Sequence, residues 1–333
     1  MGRSAPGPHP PVPVSAPGPL DGPALHLPGP AERPGGDGAS RNPVGGHDRR
    51  ALRRRPPGRR LILDHVAVCR APGRGRGCAP DKAERRAGHP QELSEGLPHV
   101  TVGVRDVEGQ AHFLRDVFGL VREDGENGCV RFSAPGSIEP AITTLRPAPM
   151  DRADAVAFGV DSRSAVDQMH DHLVGLEADL VGRPGPTADG GYGFEVFDPE
   201  GHLLSISAGT AVRTPPPHER GKGLPLDVSH VVFNSSDNAA LADWYCTALG
   251  FRVTDWLEDK LVFMSTSRYH HQVALAATPE PGLNHVAYEC ADIDDFMRAT
   301  GRAMRLGHEI LWGPGRPRPG ANAFAYFRSP AGF

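Results

Sequence analysis

One pattern occurs twice in this chain. Leu97-Pro98-His99-Val100-Thr101-Val102, followed by a helix-like stretch ending Val117-Phe118-Gly119-Leu120, returns as Val228-Ser229-His230-Val231-Val232-Phe233 with a stretch ending Ala248-Leu249-Gly250-Phe251. Each histidine stands 20 residues before its glycine, and the two copies are offset by 131. The same offset carries Asp198-Pro199-Glu200-Gly201-His202 onto Ser329-Pro330-Ala331-Gly332-Phe333. A period kept at both ends of a unit marks residues 97–210 and 226–333 as two homologous halves.

Each half divides again. Short apolar strands, one amphipathic helix at a time and Gly or Asp-Pro turns give two β-α-β-β-β units per half, an α+β fold class. The second half is expected to run strand 228–234, helix 237–249, strands near 251–257, 261–266 and 272–277, then strand 284–289, helix 292–306 and strands 309–312 and 323–328. Asp237 is the expected cap of the first helix, which carries Ala240, Ala242, Trp244, Tyr245 and Leu249 as its apolar stripe. Ile293, Phe296, Met297 and Met304 mark the second.

Residues 1–96 read differently. They hold 17 of the 35 prolines and 15 arginines, and none of the 21 aromatic residues. Such a segment cannot bury enough apolar surface to offset the entropy of ordering it, so a disordered Pro/Gly/Arg-rich arm is expected. Leu61-Ile62-Leu63 and Val66-Ala67-Val68 are far too short to span a membrane. No long apolar region follows the twin arginines Arg49-Arg50 and Arg59-Arg60, which argues against an export signal. The arm has 16 Lys+Arg against 9 Asp+Glu in a chain of net charge −4. Interspersed Pro and Gly, without an aromatic for base stacking, make it a poor nucleic-acid module. Cys69, Cys78, Cys129, Cys246 and Cys290 are scattered without a C-x-x-C pair, which suits free thiols in a reducing cytoplasm.

Paired β-α-β-β-β units with histidines at strand starts resemble the vicinal oxygen chelate superfamily (glyoxalase, bleomycin resistance and extradiol dioxygenase proteins). Over residues 97–333 the resemblance is nearest to two-domain type I extradiol dioxygenases of the catechol 2,3-dioxygenase kind. It implies a cupped sheet whose concave face holds a metal. His230, in Ser229-His230-Val231-Val232-Phe233, and His285, in Leu283-Asn284-His285-Val286-Ala287-Tyr288, are the implied metal ligands. With one carboxylate they would form a 2-His-1-carboxylate triad for Fe(II), with Mn(II) as an alternative ion. The open positions would take a catechol-like aromatic diol and O2 as co-substrate.

In relatives the final turn reads Asp-Pro-Asp-Gly-x-x-x-Glu, and that Glu would fall here at position 336, past Phe333. Two of three protein ligands, an absent last strand with an exposed sheet edge, a C-terminal truncation and little ring cleavage are therefore expected. The first half offers Ala155 where His285 stands and Ser205 where the Glu would stand, which leaves His99 alone and a half without metal. His271, in His270-His271-Gln272-Val273-Ala274-Leu275, matches the family's acid/base histidine, with His270 an equally placed neighbour. Tyr326, in Phe324-Ala325-Tyr326-Phe327, matches a tyrosine that hydrogen-bonds substrate. After Gly313-Pro314-Gly315-Arg316 relatives often place a histidine, whereas this chain has Pro317 and then Arg318. Relatives also assemble into dimers or larger rings, which implies a homo-oligomer. A metal-free protein that binds or sequesters an aromatic ligand on the same fold is the second reading. A glyoxalase or epimerase chemistry is the third, and Ala155 with Ser205 argues against it.

Overall fold

A computed structural model describes residues 66–70, 93, 99–316 and 322–332 of the chain. Disorder of the arm, apart from 66–70 and Leu93, concerns residues outside those described, as do Pro317, Arg318 and Phe333.

Strand β1 (Val66–Arg70) comes first in the chain. The first half then runs β2 (His99–Val104), α1 (Val107–Phe118), β3 (Val121–Asp124), β4 (Val130–Ser133) and β5 (Thr143–Pro147). Its second unit is β6 (Arg152–Gly159), α2 (Arg163–Gly175), β7 (Asp179–Pro186), β8 (Tyr192–Phe197) and β9 (Leu203–Ala208). The second half repeats the order with β10 (Pro225–Ser235), α3 (Asn238–Leu249), β11 (Arg252–Leu257), β12 (Leu261–Ser265) and β13 (Val273–Ala277). It continues as β14 (Gly282–Cys290), α4 (Ile293–Arg305), β15 (Ile310–Gly315) and β16 (Phe324–Phe327).

The repeat in sequence becomes a repeat in hydrogen bonding. One eight-stranded sheet has the order β3-β4-β5-β2-β6-β9-β8-β7, and the other β11-β12-β13-β10-β14-β1-β16-β15. Among the described residues the helices α1 to α4 are capped alike, with Asp106, Ser162, Asp237 and Asp292 accepting from the amides of Gly109, Ala165, Ala240 and Asp295. An acceptor at this place satisfies one of the amides a helix start leaves open. Gly119 and Gly250 end α1 and α3 in the left-handed region, at φ 69° and 74°, where a side chain would be strained.

The expected last-strand gap is filled. Val66–Arg70, which composition assigns to the arm, pairs parallel with β14 and antiparallel with β16. It takes the place that β9 holds in the first sheet, so β14 and β16 do not present the exposed edges expected from the sequence. Two facing rows of backbone donors and acceptors outweigh the poor composition around a Val-Ala-Val stretch of good strand propensity.

The apolar stripes also need correction. Ala240 is exposed, and α3 buries Leu241, Ala242, Tyr245, Ala248 and Leu249. On α4, Ile293, Met297 and Met304 are 49%, 50% and 57% exposed, while Phe296, Ala299 and Ala303 face the core. The buried face follows the helical period through Phe296, Ala299, Thr300 and Ala303, which leaves Ile293, Met297 and Met304 to one side of it.

One hydrophobic cluster runs through both halves. The halves exchange contacts in a near-symmetric way. Tyr245 of α3 donates to Asp198 in the turn before β9 (3.1 Å), and the amide of Ala331 in the matching turn of the second half donates to Gln110 of α1 (3.2 Å). Tyr288 packs on Phe118 with ring centroids 4.8 Å apart, and its hydroxyl meets that of Thr143 at 2.8 Å.

Candidate functional site

The two central strands of the second sheet place the site. In the β10–β14 ladder His230 lies opposite Ala287 and Val232 opposite His285. The histidines are thus diagonal neighbours on one face, within reach across an antiparallel pair. Their rings are 5.5 Å apart, centroid to centroid, and the residues are 2% and 4% exposed. The first sheet shows the same register, with His99 opposite Ala157 and Thr101 opposite Ala155, so Ala155 occupies the place of His285.

The imidazole of His285 is held from behind. Asn284, itself buried, donates through Nδ2 to Asn234 Oδ1 (2.6 Å), which turns its Oδ1 to His285 Nδ1 at 2.8 Å. That acceptor puts the ring proton on Nδ1 and gives Nε2 the lone pair, the arrangement that orients a metal-binding histidine. His230 Nδ1 meets Ser229 Oγ at 3.1 Å.

His271 completes a group of three rings, 4.1 Å from His230. The turn that carries it is fixed by the amide of Gln272 on Met264 O (2.9 Å) and by Thr254 Oγ1 on His270 O (2.6 Å). His270 points elsewhere, its Nε2 3.7 Å from Asp255 Oδ2 and its Nδ1 2.9 Å from His271 Nδ1. Of the two equally placed histidines, the structure brings His271 to the cup. Burial and then neighbouring imidazoles push the pKa of both His230 and His271 far below the usual value, so both rings are neutral at pH 7.

Tyr326 of β16 stands 5.0 Å from the His285 ring and stacks on Trp312 at 5.3 Å. Phe324 packs on Trp312 (4.6 Å), and Phe263 of β12 lies 4.9 Å from His271. The imidazoles are therefore flanked by aromatic rings, a grouping suited to contact with a flat ring. Sequence reasoning assigned no role to Asn284, Asn234, Phe263 or Trp312. Asn284 precedes a candidate ligand directly, which was the available signal, whereas Phe263 and Trp312 reach the cup only through strand order.

A divalent ion fits the nitrogen side of this donor set. It does not fit the carboxylate side. Among the described residues no group of three His, Cys, Asp or Glu side chains is placed to hold a metal ion. The matching position in the first half is Ser205, opposite Ala157, and in the second sheet the residue opposite Ala287 on the closing strand is Ala67.

The first half has a cup of its own, a cavity of about 780 Å³ lined by His99, Thr144, Ala155, Arg183, Glu195 and Ser205 among others. His99 Nε2 meets Thr144 Oγ1 at 2.9 Å, and burial lowers its pKa to about 4. The two halves share a backbone plan and differ at this place: the first has a cavity in which His99, Arg183 and Glu195 stand among apolar groups such as Ala155, Ala157 and Phe194, and the second has a cluster of imidazole and aromatic rings.

Comparison with known proteins agrees with this plan. Residues 96–206 and 227–333 each match the family model described as Glyoxalase/Bleomycin resistance protein/Dioxygenase superfamily. Metapyrocatechase 2 of Cupriavidus necator is 28% identical over 180 residues, 48% of this chain and 56% of that protein. The chain thus spans little more than half the length of that relative. The 2,2',3-trihydroxybiphenyl dioxygenase of Sphingomonas paucimobilis is 24% identical over 239 residues, 66% of this chain and 79% of that protein. Among solved structures, a Mn(II)-bound glyoxalase from Novosphingobium aromaticivorans superposes with a TM-score of 0.69 at 35% identity, covering 73% of this chain and 81% of that one. The 2,3-dioxygenase LapB from Pseudomonas sp. KL28 has a TM-score of 0.64 at 22% identity, covers 73% and 90%, and supports the fold.

Proposed function

Since the chain belongs to the Glyoxalase/Bleomycin resistance protein/Dioxygenase superfamily, we propose that its second half is an extradiol-type ring-cleavage dioxygenase site for a catechol-like aromatic diol, with weak metal binding and low turnover. The observation that carries this reading is the convergence of His230, His271 and His285 on one face beside Tyr326. His230 and His285 would hold Fe(II), or Mn(II) as the alternative, each through a neutral imidazole. When bound, the ion supplies the electron relay between diol and dioxygen that makes the spin-forbidden reaction feasible.

The remaining chemistry belongs to the chain. His271, beside His230, is the group placed to exchange a proton with a diol hydroxyl. Tyr326, fixed by Trp312 and by the edge of the His285 ring, can donate its hydroxyl hydrogen to a substrate oxygen. Phe263, Trp312 and Phe324 would offer their rings to the aromatic ring of a bound diol. The weak step is the metal: with Ala67 opposite Ala287, the closing strand brings no carboxylate to the row.

A second reading is favoured by that same alanine. A cup with aromatic walls and an incomplete donor set would bind an aromatic ligand without metal, with His230 and His285 as hydrogen-bond partners. Reconstitution with Fe(II) under anaerobic conditions, followed by oxygen and a panel of catechols, tests both. Little ring fission and catechol binding that weakens in His285→Ala and with a strong chelator support the dioxygenase-type site. Ring fission at the rate of an ordinary extradiol enzyme refutes the impairment, and catechol binding indifferent to chelator favours the metal-free reading.

The exposed apolar residues Ile293, Met297 and Met304 on α4 suit burial against a second copy, so the protein is read as a homo-oligomer. Light scattering on the purified chain checks this. Among the described residues Cys129 and Cys290 are not joined in a disulfide. Among the described residues no helix is long and apolar enough to cross a membrane.

A further inference from the structure

The slot beside β14 is filled in the two halves by segments from different parts of the chain. In the first sheet β9 lies parallel to β6, with Ala157 opposite Ser205, and antiparallel to β8, with Glu195 opposite Ser205. In the second sheet β1 lies parallel to β14, with Ala287 opposite Ala67, and antiparallel to β16, with Tyr326 opposite Ala67. Ala157 and Ala287 are the residues opposite His99 and His230. The row His99, Ala157, Ser205, Glu195 of the first sheet is therefore the row His230, Ala287, Ala67, Tyr326 of the second. Direction and register agree on both sides of the slot, although β1 precedes the second half in sequence and β9 directly follows β8.

We propose that Val66–Arg70 is a donated closing strand, which completes the second sheet and, through the single position Ala67, leaves the row shared by His230 and Tyr326 without a carboxylate. The strand is paired on both edges, so its backbone groups exchange ladders with two neighbours at once. An arm of otherwise unfavourable composition is thereby tied to the candidate site, and the chemistry of that site depends on one residue of the arm. The strand assignment stands by itself, and its consequence for metal rests on the reading of His230 and His285 given above.

Hydrogen–deuterium exchange of the full chain tests the strand. Amides of 67–70 should be protected to the degree of those in β14, and Val68→Pro, which removes a ladder donor, should also deprotect Phe324–Phe327. Free exchange at 67–70, or unchanged protection of Phe324–Phe327 in Val68→Pro, overturns the donated strand. Co(II) titration tests the row. Ala67→Glu should bind Co(II) roughly tenfold or more tighter than the natural chain, Ala67→Gln should not, and His285→Ala should abolish the gain. Equal binding by the Glu and Gln variants, or a gain that survives His285→Ala, overturns the placement of Ala67 in the row. Protected amides with no Co(II) binding in any variant overturn the metal reading of the histidine pair, and the row's part of the proposal with it, while supporting the strand.

Discussion

Replacing Asn284 by alanine should weaken metal binding without touching a ligand. The side chain is 1% exposed and makes two hydrogen bonds, Oδ1 accepting from His285 Nδ1 at 2.8 Å and Nδ2 donating to Asn234 Oδ1 at 2.6 Å. Losing both, at about 0.5–1.5 kcal/mol each, predicts a fall in stability of roughly 1–3 kcal/mol. Losing the partner that fixes tautomer and ring orientation predicts a further effect on the site, a drop in metal affinity of about 10- to 100-fold. That corresponds to about 1.4–2.7 kcal/mol of binding free energy. The two effects separate in Asn284→Asp, which keeps an acceptor for Nδ1–H and gives up the donor to Asn234. Its Co(II) affinity should stay near that of the natural chain while its urea midpoint falls. Competition with a chromogenic chelator measures the affinity, and urea unfolding followed by circular dichroism measures the stability. An Asn284→Ala affinity within twofold of the natural chain, or an Asn284→Asp affinity as poor as that of the alanine variant, refutes the orienting role.

Other residues make further predictions. Tyr245→Phe removes a buried hydroxyl from Asp198, which still keeps the amides of Glu200 and His202 and the His202 ring. The expected loss is about 1–2 kcal/mol in urea unfolding, with Co(II) binding unchanged. Gly223 has φ 66°, and a Cβ there would sit 2.6 Å from the backbone nitrogen of Ala299. Gly223→Ala should therefore cost roughly 2 kcal/mol or more, and a neutral effect would contradict the packing of that loop on α4. Desolvation pushes the pKa of Asp227 up from 3.8 to about 6, so the fold disfavours its charged form. The stability that goes with the neutral carboxyl is whole below pH 4 and is lost as pH rises through 6. Asp227→Asn should then exceed the natural chain by at most about 3 kcal/mol at pH 7.5, with the difference shrinking toward pH 4. A constant difference across that range would show that the carboxyl is not desolvated in the fold.

Much of the fold was legible because local rules and the repeat agreed. The helix predicted at 237–249 forms as Asn238–Leu249 behind its Asp237 cap, and the strands predicted around it form within a few residues. Strand alternation and helix caps act over three or four residues, so the sequence displays them directly. Helix facing was less legible. Ile293, Met297 and Met304 look like a core stripe, yet the face that packs runs through Phe296, Ala299, Thr300 and Ala303, a choice made by the sheet beneath the helix.

The candidate site divides along the same line. The sequence alone determined the two-fold repeat, three complete β-α-β-β-β units with a fourth short of its last strand, and histidines at matched strand positions, because each is a pattern along the chain. Tertiary structure decided which of His270 and His271 enters the cup and which aromatic residues wall it. It also decided that an arm segment, not a neighbour in sequence, closes the second sheet. Those outcomes depend on pairing between strands far apart in the chain, where register and open backbone groups set the partner and local composition does not.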